Sequence, residues 1–127
     1  FSAAVSDWKI QNVEKDKIKK DKNINLKLEK NIDILDYVSK HNSLRPKIVI
    51  GFAAETNNLT ENSKKKLSQK NCDWIVANDV SDSSIGFGSD FNEVTIFYKN
   101  KEHEKISKMK KSLLAEKIVE RVISQIN

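Results

Sequence analysis

The sequence predicts an α/β protein. Three observations carry that class. A strand, a helix and a second strand follow one another between residues 48 and 77. Residues 93–99 alternate, with Val94, Ile96 and Tyr98 on one side, and residues 112–126 repeat apolar side chains at helical spacing. A strand–helix–strand order is a βαβ unit, whose strands run parallel and whose crossover is right-handed.

The elements are expected in the following order. Residues 2–6 read as a buried strand ending at Asp7. Residues 9–30 hold eight lysines against four acids, and within them Ile24, Leu26 and Leu28 alternate with Asn25, Lys27 and Glu29. That is the period of a half-buried strand. Lys17, Ile18, Lys19 and Lys20 precede it across residues 21–23, which suggests a hairpin. Ile32, Ile34, Leu35 and Val38 suggest a short helix over residues 32–41. Ile48, Val49 and Ile50 form a strand buried on both faces, ended by Gly51, with residues 52–56 lining its exit. A helix then runs from about Asn58 to Lys70, with Asn58 and Glu61 resembling a capping pair and Leu59, Ser63 and Leu67 as its inner stripe. Asn71 suits the helix end, and residues 74–77 are the next strand. A loop rich in Gly and Ser follows at 81–90. The last segment places Leu113, Leu114, Ile118, Val122 and Ile126 on an amphipathic helix. In open parallel sheets ligands bind at the carboxyl ends of the strands. Here those ends are Asp7, residues 52–56, and Asn78, Asp79 and Val80.

The chain has 127 residues, enough for one domain with one core. It is 38% hydrophobic and 32% charged, and no apolar run reaches membrane-spanning length. An apolar stretch beginning at Phe1, without Met or a signal-peptide pattern, is expected to be preceded by further sequence. The single cysteine, Cys72, permits no internal disulfide and fits a reducing compartment. His41 and His103 lie far apart without cysteine neighbours, which disfavours a structural zinc site. A net charge of +5 suits an anionic partner: nucleic acid, an acidic surface or a phosphorylated small molecule. It equally suits a lysine-rich surface that keeps the chain in solution.

Several residues are candidates for chemistry. Lys66 and Lys70 are four apart, which puts both on one helix face, roughly 6 Å apart along the axis. Two ammonium groups held there suit a polyphosphate, although a run of solvated lysines has the same spacing. Lys17 sits in the charge-dense stretch 15–22, where a mobile point charge suits developing charge on phosphate or a plain solvated hairpin. Asp7 at a strand end suits a nucleotide, a metal ion or a turn cap. Asn78 and Asp79 face a substrate or stabilise a turn. Gly86, Phe87 and Gly88 lack the spacing of a dinucleotide fingerprint, and no P-loop or Ser–His–Asp set is present.

Seven stretches, taken in order, are AAVSDW (3–8), KIKK (17–20), NIDIL (31–35), GFAAET (51–56), KKKLSQKN (64–71), ANDVS (77–81) and GFGSDFN (86–92). Together they resemble phosphopantothenoylcysteine synthetase, the ligase commonly fused in bacteria behind a flavin-dependent decarboxylase. The resemblance implies a Rossmann-like three-layer fold with a mostly parallel sheet. It makes residues 1–127 the C-terminal portion of a CTP-dependent ligase domain. That family joins 4′-phosphopantothenate to L-cysteine through an acyl-cytidylate, with CTP as substrate and Mg²⁺. FMN belongs only to the decarboxylase part. A cytoplasmic homodimer is implied, with neither nucleic acid nor membrane as partner. Carried over by position, Ala3, Asp7, Asn31, Ile32, Asp33, Ile34, Phe52, Lys66 and Lys70 border the nucleotide. Lys17 lies on a flap over the phosphates and is the catalytic residue, with Asn78 and Asp79 as substrate contacts. The family usually has Pro where this chain has Ile32. Its glycine-rich segment and the Asn that contacts the acyl intermediate lie upstream of AAVSDW. Two other readings stand beside it. One is a basic nucleic-acid-binding α/β domain, for which only Trp8 lies among the lysines as a stacking aromatic. The other is a dimerisation module using residues 81–99. If the resemblance holds, the 127 residues alone release no pyrophosphate from CTP with both substrates present; a coupled pyrophosphate assay checks this.

Overall fold

The computed structural model describes residues 1–19, 24–81, 88–100 and 102–127. The elements in chain order are β1 (Trp8–Ile10), β2 (Leu28–Lys30), α1 (Ile34–Ser39), β3 (Ile50–Glu55), α2 (Leu59–Lys70), β4 (Trp74–Asp79), β5 (Phe91–Tyr98), β6 (Glu104–Lys110) and α3 (Lys111–Ile126). β1 and β2 pair antiparallel as a small ribbon, and the main sheet has the order β3-β4-β5-β6.

Trp74, Ile75, Val76 and Ala77 of β4 are all buried, so both faces of the sheet must be covered. Alternation divides them. Trp74 and Val76 join Val94, Ile96, Tyr98, Ile106 and Leu114 beneath α3. Ile75 and Ala77 join Ala53, Cys72 and Phe97, with Leu35 of α1 and Leu59 and Leu67 of α2 packed against them. The result is helix, sheet, helix: the three-layer α/β class that the sequence predicts. α3 is fastened at its far end by Trp74 Nε1 donating to Gln125 Oε1 at 2.8 Å and by Arg121, which pairs with Glu104. Tyr98 donates to the same Glu104 at 2.8 Å, and burial with that bond pushes its phenol up to about 12.

The pairing corrects one detail of the expected sheet. β3 and β4 run parallel, with Ile50 opposite Trp74 and Glu55 opposite Asp79. β4–β5 and β5–β6 are antiparallel, so among the described strands of this sheet parallel pairing is confined to the βαβ unit. A parallel join needs a crossover of about a dozen residues or more. β5 and β6 are separated by residues 99–103 alone.

Four local expectations also change, and one strand was not expected. Residues 2–6 are exposed and form no strand; Phe1 N donates to Ile50 O at 2.9 Å, but no ladder follows. Two serines flank that short apolar run, which gives it no second face to bury. The lysine-rich segment does form a hairpin-like ribbon, but Leu28–Lys30 pairs with Trp8–Ile10 instead of with residues 17–20. Residues 20–23, 82–87 and 101, which include the expected hairpin turn and Gly86-Phe87, lie outside the described residues. Gly51 does not end its strand; β3 runs through it to Glu55. A Cβ there would lie 2.5 Å from Leu35 Cδ2 and 2.9 Å from Ile75 Cδ1, so the glycine lets α1 approach the sheet. Asn58 flanks α2 as expected, but with φ 50° and no side-chain cap bond, so it forms no capping pair with Glu61. β6 escapes sequence reading because Ile106 and Met109, its apolar residues, are three apart. A register shift between Asn92 and Val94 accommodates that spacing.

These contacts set a prediction. Gly51→Ala is expected to destabilise by about 1–3 kcal/mol through overpacking against Leu35. Ser63→Ala, which removes a buried hydroxyl that has no partner among the described residues, is expected to be neutral or mildly stabilising. Urea denaturation of both variants measures the contrast.

Candidate functional site

A cleft of about 430 Å³ flanks the outer edge of β3. Its walls are the segment Phe1–Asp7, the turn into α1, Phe52 of β3 and the second half of α2. Ala3, Asp7, Asn31, Ile32, Asp33, Ile34, Phe52, Lys66 and Lys70 all line it. Those are nine of the expected nucleotide residues, drawn from four separate stretches of chain. Phe1, Val5, Ser6, Leu35, Gln69 and Ile75 complete the lining. Because β3 is the edge strand, Phe52 is half exposed and the cleft lies beside the strand instead of beyond its carboxyl end.

Local chemistry explains how these residues meet. Asn31 ties the first segment to the turn: its backbone N–H donates to Asp7 O at 2.8 Å and its side-chain amide to Ser6 O at 3.1 Å. Asn31 Oδ1 accepts the N–H of Ile32 at 2.9 Å. A proline at position 32 would have no N–H to give, so this chain fixes the turn by a hydrogen bond where a ring would otherwise do so. Asp33 caps α1, its Oδ1 accepting from Asp36 N at 2.8 Å. The far end of α1 is bound to the far end of α2: Ser39 donates its hydroxyl to Lys70 O, and Asn71 donates its amide to Ser39 O at 3.3 Å. That contact brings Lys70 over the start of α1.

Both lysines of the pair meet a carboxylate. Lys70 Nζ donates to Asp33 Oδ2. Lys66 Nζ donates to Glu55 Oε1 at 2.7 Å. The bond with Asp33 holds the Lys70 ammonium above the ordinary lysine range against the opposing effect of burial, and the charges of Asp33, Asp36 and Asp7 add to it. For Asp33, burial pushes its carboxyl up, but the Lys70 bond and charge and the N–H groups of Asp36 and Leu35 outweigh this and leave it below its usual value. The cleft therefore presents two charged ammonium groups, an aromatic ring and a rim of amides and carboxylates. That set can receive a polyanion carrying a flat polar base.

Three expected residues stand apart from it. Lys17 is exposed and does not line the cleft. Asn78 lies in β4, and Asp79 accepts both the N–H (2.9 Å) and the hydroxyl (2.6 Å) of Ser81, the turn-stabilising role. Neither lines the cleft. Conversely, Gln69 and Ser6 line the cleft and Glu55 pairs with Lys66 behind it, and none of the three was singled out as a site residue by sequence. Glu55 is eleven residues before Lys66, a spacing that no helix or strand period links. Among the described residues no group of three His, Cys, Asp or Glu is placed to hold a metal, and no helix is long and apolar enough to cross a membrane.

Fold and cleft together define a Rossmann-like α/β domain with a cleft at a sheet edge that two lysines of one helix line. Residues 1–126 match the DNA/pantothenate metabolism flavoprotein C-terminal domain, and the chain belongs to that family. It is 42% identical over 124 residues to the coenzyme A biosynthesis bifunctional protein CoaBC of Haemophilus influenzae, covering 97% of this chain and 30% of that protein. The protein of the same name in Escherichia coli is 37% identical over 128 residues, covering 97% of this chain and 31% of that one. The chain thus spans about a third of the length of the curated relatives it matches. The crystal structure of the C-terminal domain of a CoaBC protein is similar with a TM-score of 0.71 at 30% identity, covering 98% of this chain and 52% of that one. The DNA/pantothenate metabolism flavoprotein from Streptococcus pneumoniae, at 23% identity, shares the fold with a TM-score of 0.61 over 81% of this chain and 44% of that one.

The Asp33–Lys70 pair predicts a pH dependence. A lowered folded-state pKa at Asp33 gives stability that is complete above the ordinary carboxylate value of 3.8 and is lost as pH falls through the folded value. Asp33→Asn should flatten the acid limb of thermal stability below the ordinary carboxylate value of 3.8 while leaving its shape at neutral pH unchanged. Melting curves across that range check it.

Proposed function

We propose that this chain forms the CTP-binding side of a phosphopantothenate–cysteine ligase acting in coenzyme A biosynthesis. The observation that carries the reading is the convergence in one cleft of nine residues from separate stretches, each expected at the nucleotide from the family resemblance.

The chemistry makes plain demands. The carboxylate of 4′-phosphopantothenate attacks the α-phosphate of CTP, forming the acyl-cytidylate and releasing pyrophosphate. The amine of L-cysteine then attacks the acyl carbon and CMP leaves with the bonding pair. Two anions must approach each other in the first step, so the cleft has to supply positive charge that is already in place. Lys66 and Lys70 supply it from one face of α2. Phe52 offers an apolar ring beside the base, and the polar groups of Asn31 and Asp33 border it. Lys17, from the exposed segment after β1, reaches the phosphates only when that segment closes over bound nucleotide. Asn78 and Asp79, outside the cleft at the end of β4, are assigned to a substrate by the resemblance alone, and Asp79 Oδ1 already serves the turn to Ser81.

Mg²⁺ is commonly held through one or two carboxylates together with substrate phosphates, and in this reading the triphosphate carries the ion. Asp7 is the cleft carboxylate placed to share it, since Asp33 is engaged by Lys70 and Asp36. The ion would neutralise phosphate charge. The whole enzyme in this reading is a cytoplasmic homodimer, and neither nucleic acid nor a membrane surface enters its chemistry.

Isothermal titration with CTP and ATP tests the assignment. Lys66→Ala and Lys70→Ala are each expected to weaken CTP binding by about tenfold or more, the usual cost of a charge-assisted hydrogen bond. ATP is expected to bind less well than CTP. Equal binding of both nucleotides, or unchanged affinity in both variants, overturns the reading.

A further inference from the structure

Glu55 ends β3 with its side chain only 12% exposed. Both its oxygens are engaged by α2. Oε1 accepts from Lys66 Nζ at 2.7 Å, and Oε2 accepts from Asn62 Nδ2 at 3.0 Å. Asn62 is itself fixed, since Nδ2 also donates to Asn57 O at 3.1 Å and its backbone N–H donates to Asn58 O at 2.9 Å. Asn62 and Lys66 are four apart and so share a helix face. The carboxylate therefore cannot rotate away from Lys66 without giving up a second bond.

Lysine has three donors on a flexible stem. One is spent on Glu55 and two remain for the cleft that Lys66 lines. The partner of Lys70 differs. Asp33 has 40% of its side chain exposed, and its other oxygen caps a six-residue helix. Glu55 is the more deeply set of the two carboxylates, and it sits on the sheet itself.

We propose that Glu55, locked by Asn62, is a positioning residue that holds the Lys66 ammonium toward the cleft before the polyphosphate arrives. The proposal rests on the nucleotide reading of the cleft. Without the tether Lys66 must be ordered at the moment of binding, and affinity falls by that ordering cost.

A double-mutant cycle on nucleotide affinity separates this role from a plain strand-to-helix tie. CTP is titrated into the full chain as wild type, Glu55→Ala, Lys66→Ala and the double variant, with thermal melts alongside. Glu55→Ala should weaken CTP binding about tenfold in the wild-type background and by less than about twofold where Lys66 is already Ala. Asn62→Ala, which leaves the ion pair but frees its carboxylate, should show the same pattern with a loss of about threefold. It carries the cycle alone if Glu55→Ala does not fold. Equal losses in the two backgrounds mean that Glu55 acts through the fold and not through Lys66, and overturn the proposal. Unchanged CTP affinity in Glu55→Ala, with Lys66→Ala weakened, also overturns it while leaving the nucleotide reading intact. A wild-type chain that does not bind CTP overturns both.

Discussion

Everything in this domain depends on a strand that has no wet face. β4 buries Trp74 and Val76 on one side and Ile75 and Ala77 on the other. A strand of that kind must have helices on both faces and neighbours on both edges. The requirement fixes where α2 lies, because α2 is the crossover between β3 and β4. It also fixes which face of α2 is dry. Leu59, Ser63 and Leu67 face the sheet, so the lysines one residue earlier or three later turn toward the rim. Ser63 at the middle of that stripe is small, and its burial lets the helix sit close.

The site inherits its geometry from this arrangement. A parallel pair with an edge strand leaves one side of β3 open, and α2 packs on the sheet face mainly over β4, so that its lysines reach the cleft beside β3. Charge then collects there without a charged core. Lys66 and Lys70 each rest on a carboxylate supplied by a different element, Glu55 from the sheet and Asp33 from the helix cap. Like charges four apart on a helix repel. The two acids remove that cost in the folded protein and still leave donors for a ligand. In this division of labour Asp33 lines the cleft with the lysines, and Glu55 supports Lys66 from outside its lining.

How legible this was depended on distance along the chain. The βαβ unit, the inner stripe of α2 and helix α3 follow from periodicity, which is a local property. The Lys66–Lys70 pair follows from the same arithmetic. The cleft as a whole does not, because Ala3, Asn31 and Phe52 are joined only by the fold; a family resemblance was needed to group them. Glu55 stayed hidden because its partners are seven and eleven residues away on another element. β6 stayed hidden because its apolar spacing suits a bulged register and no regular strand. Residues 2–6 misled because a short apolar run signals burial only when neighbours exist to bury it.

No described residue before Leu35 belongs to either hydrophobic core. The first wall of the cleft is attached by hydrogen bonds and one ion pair, and by little apolar burial. Local stability follows buried apolar contact, so the two walls belong to different cooperative units. The early segment is therefore expected to open more readily than the sheet and α2, and to exchange its amides with solvent by that route. A ligand held between the walls couples the two units. Amide exchange in the first segment then slows by the ligand's own binding free energy, with no change in the sheet that α2 rests on.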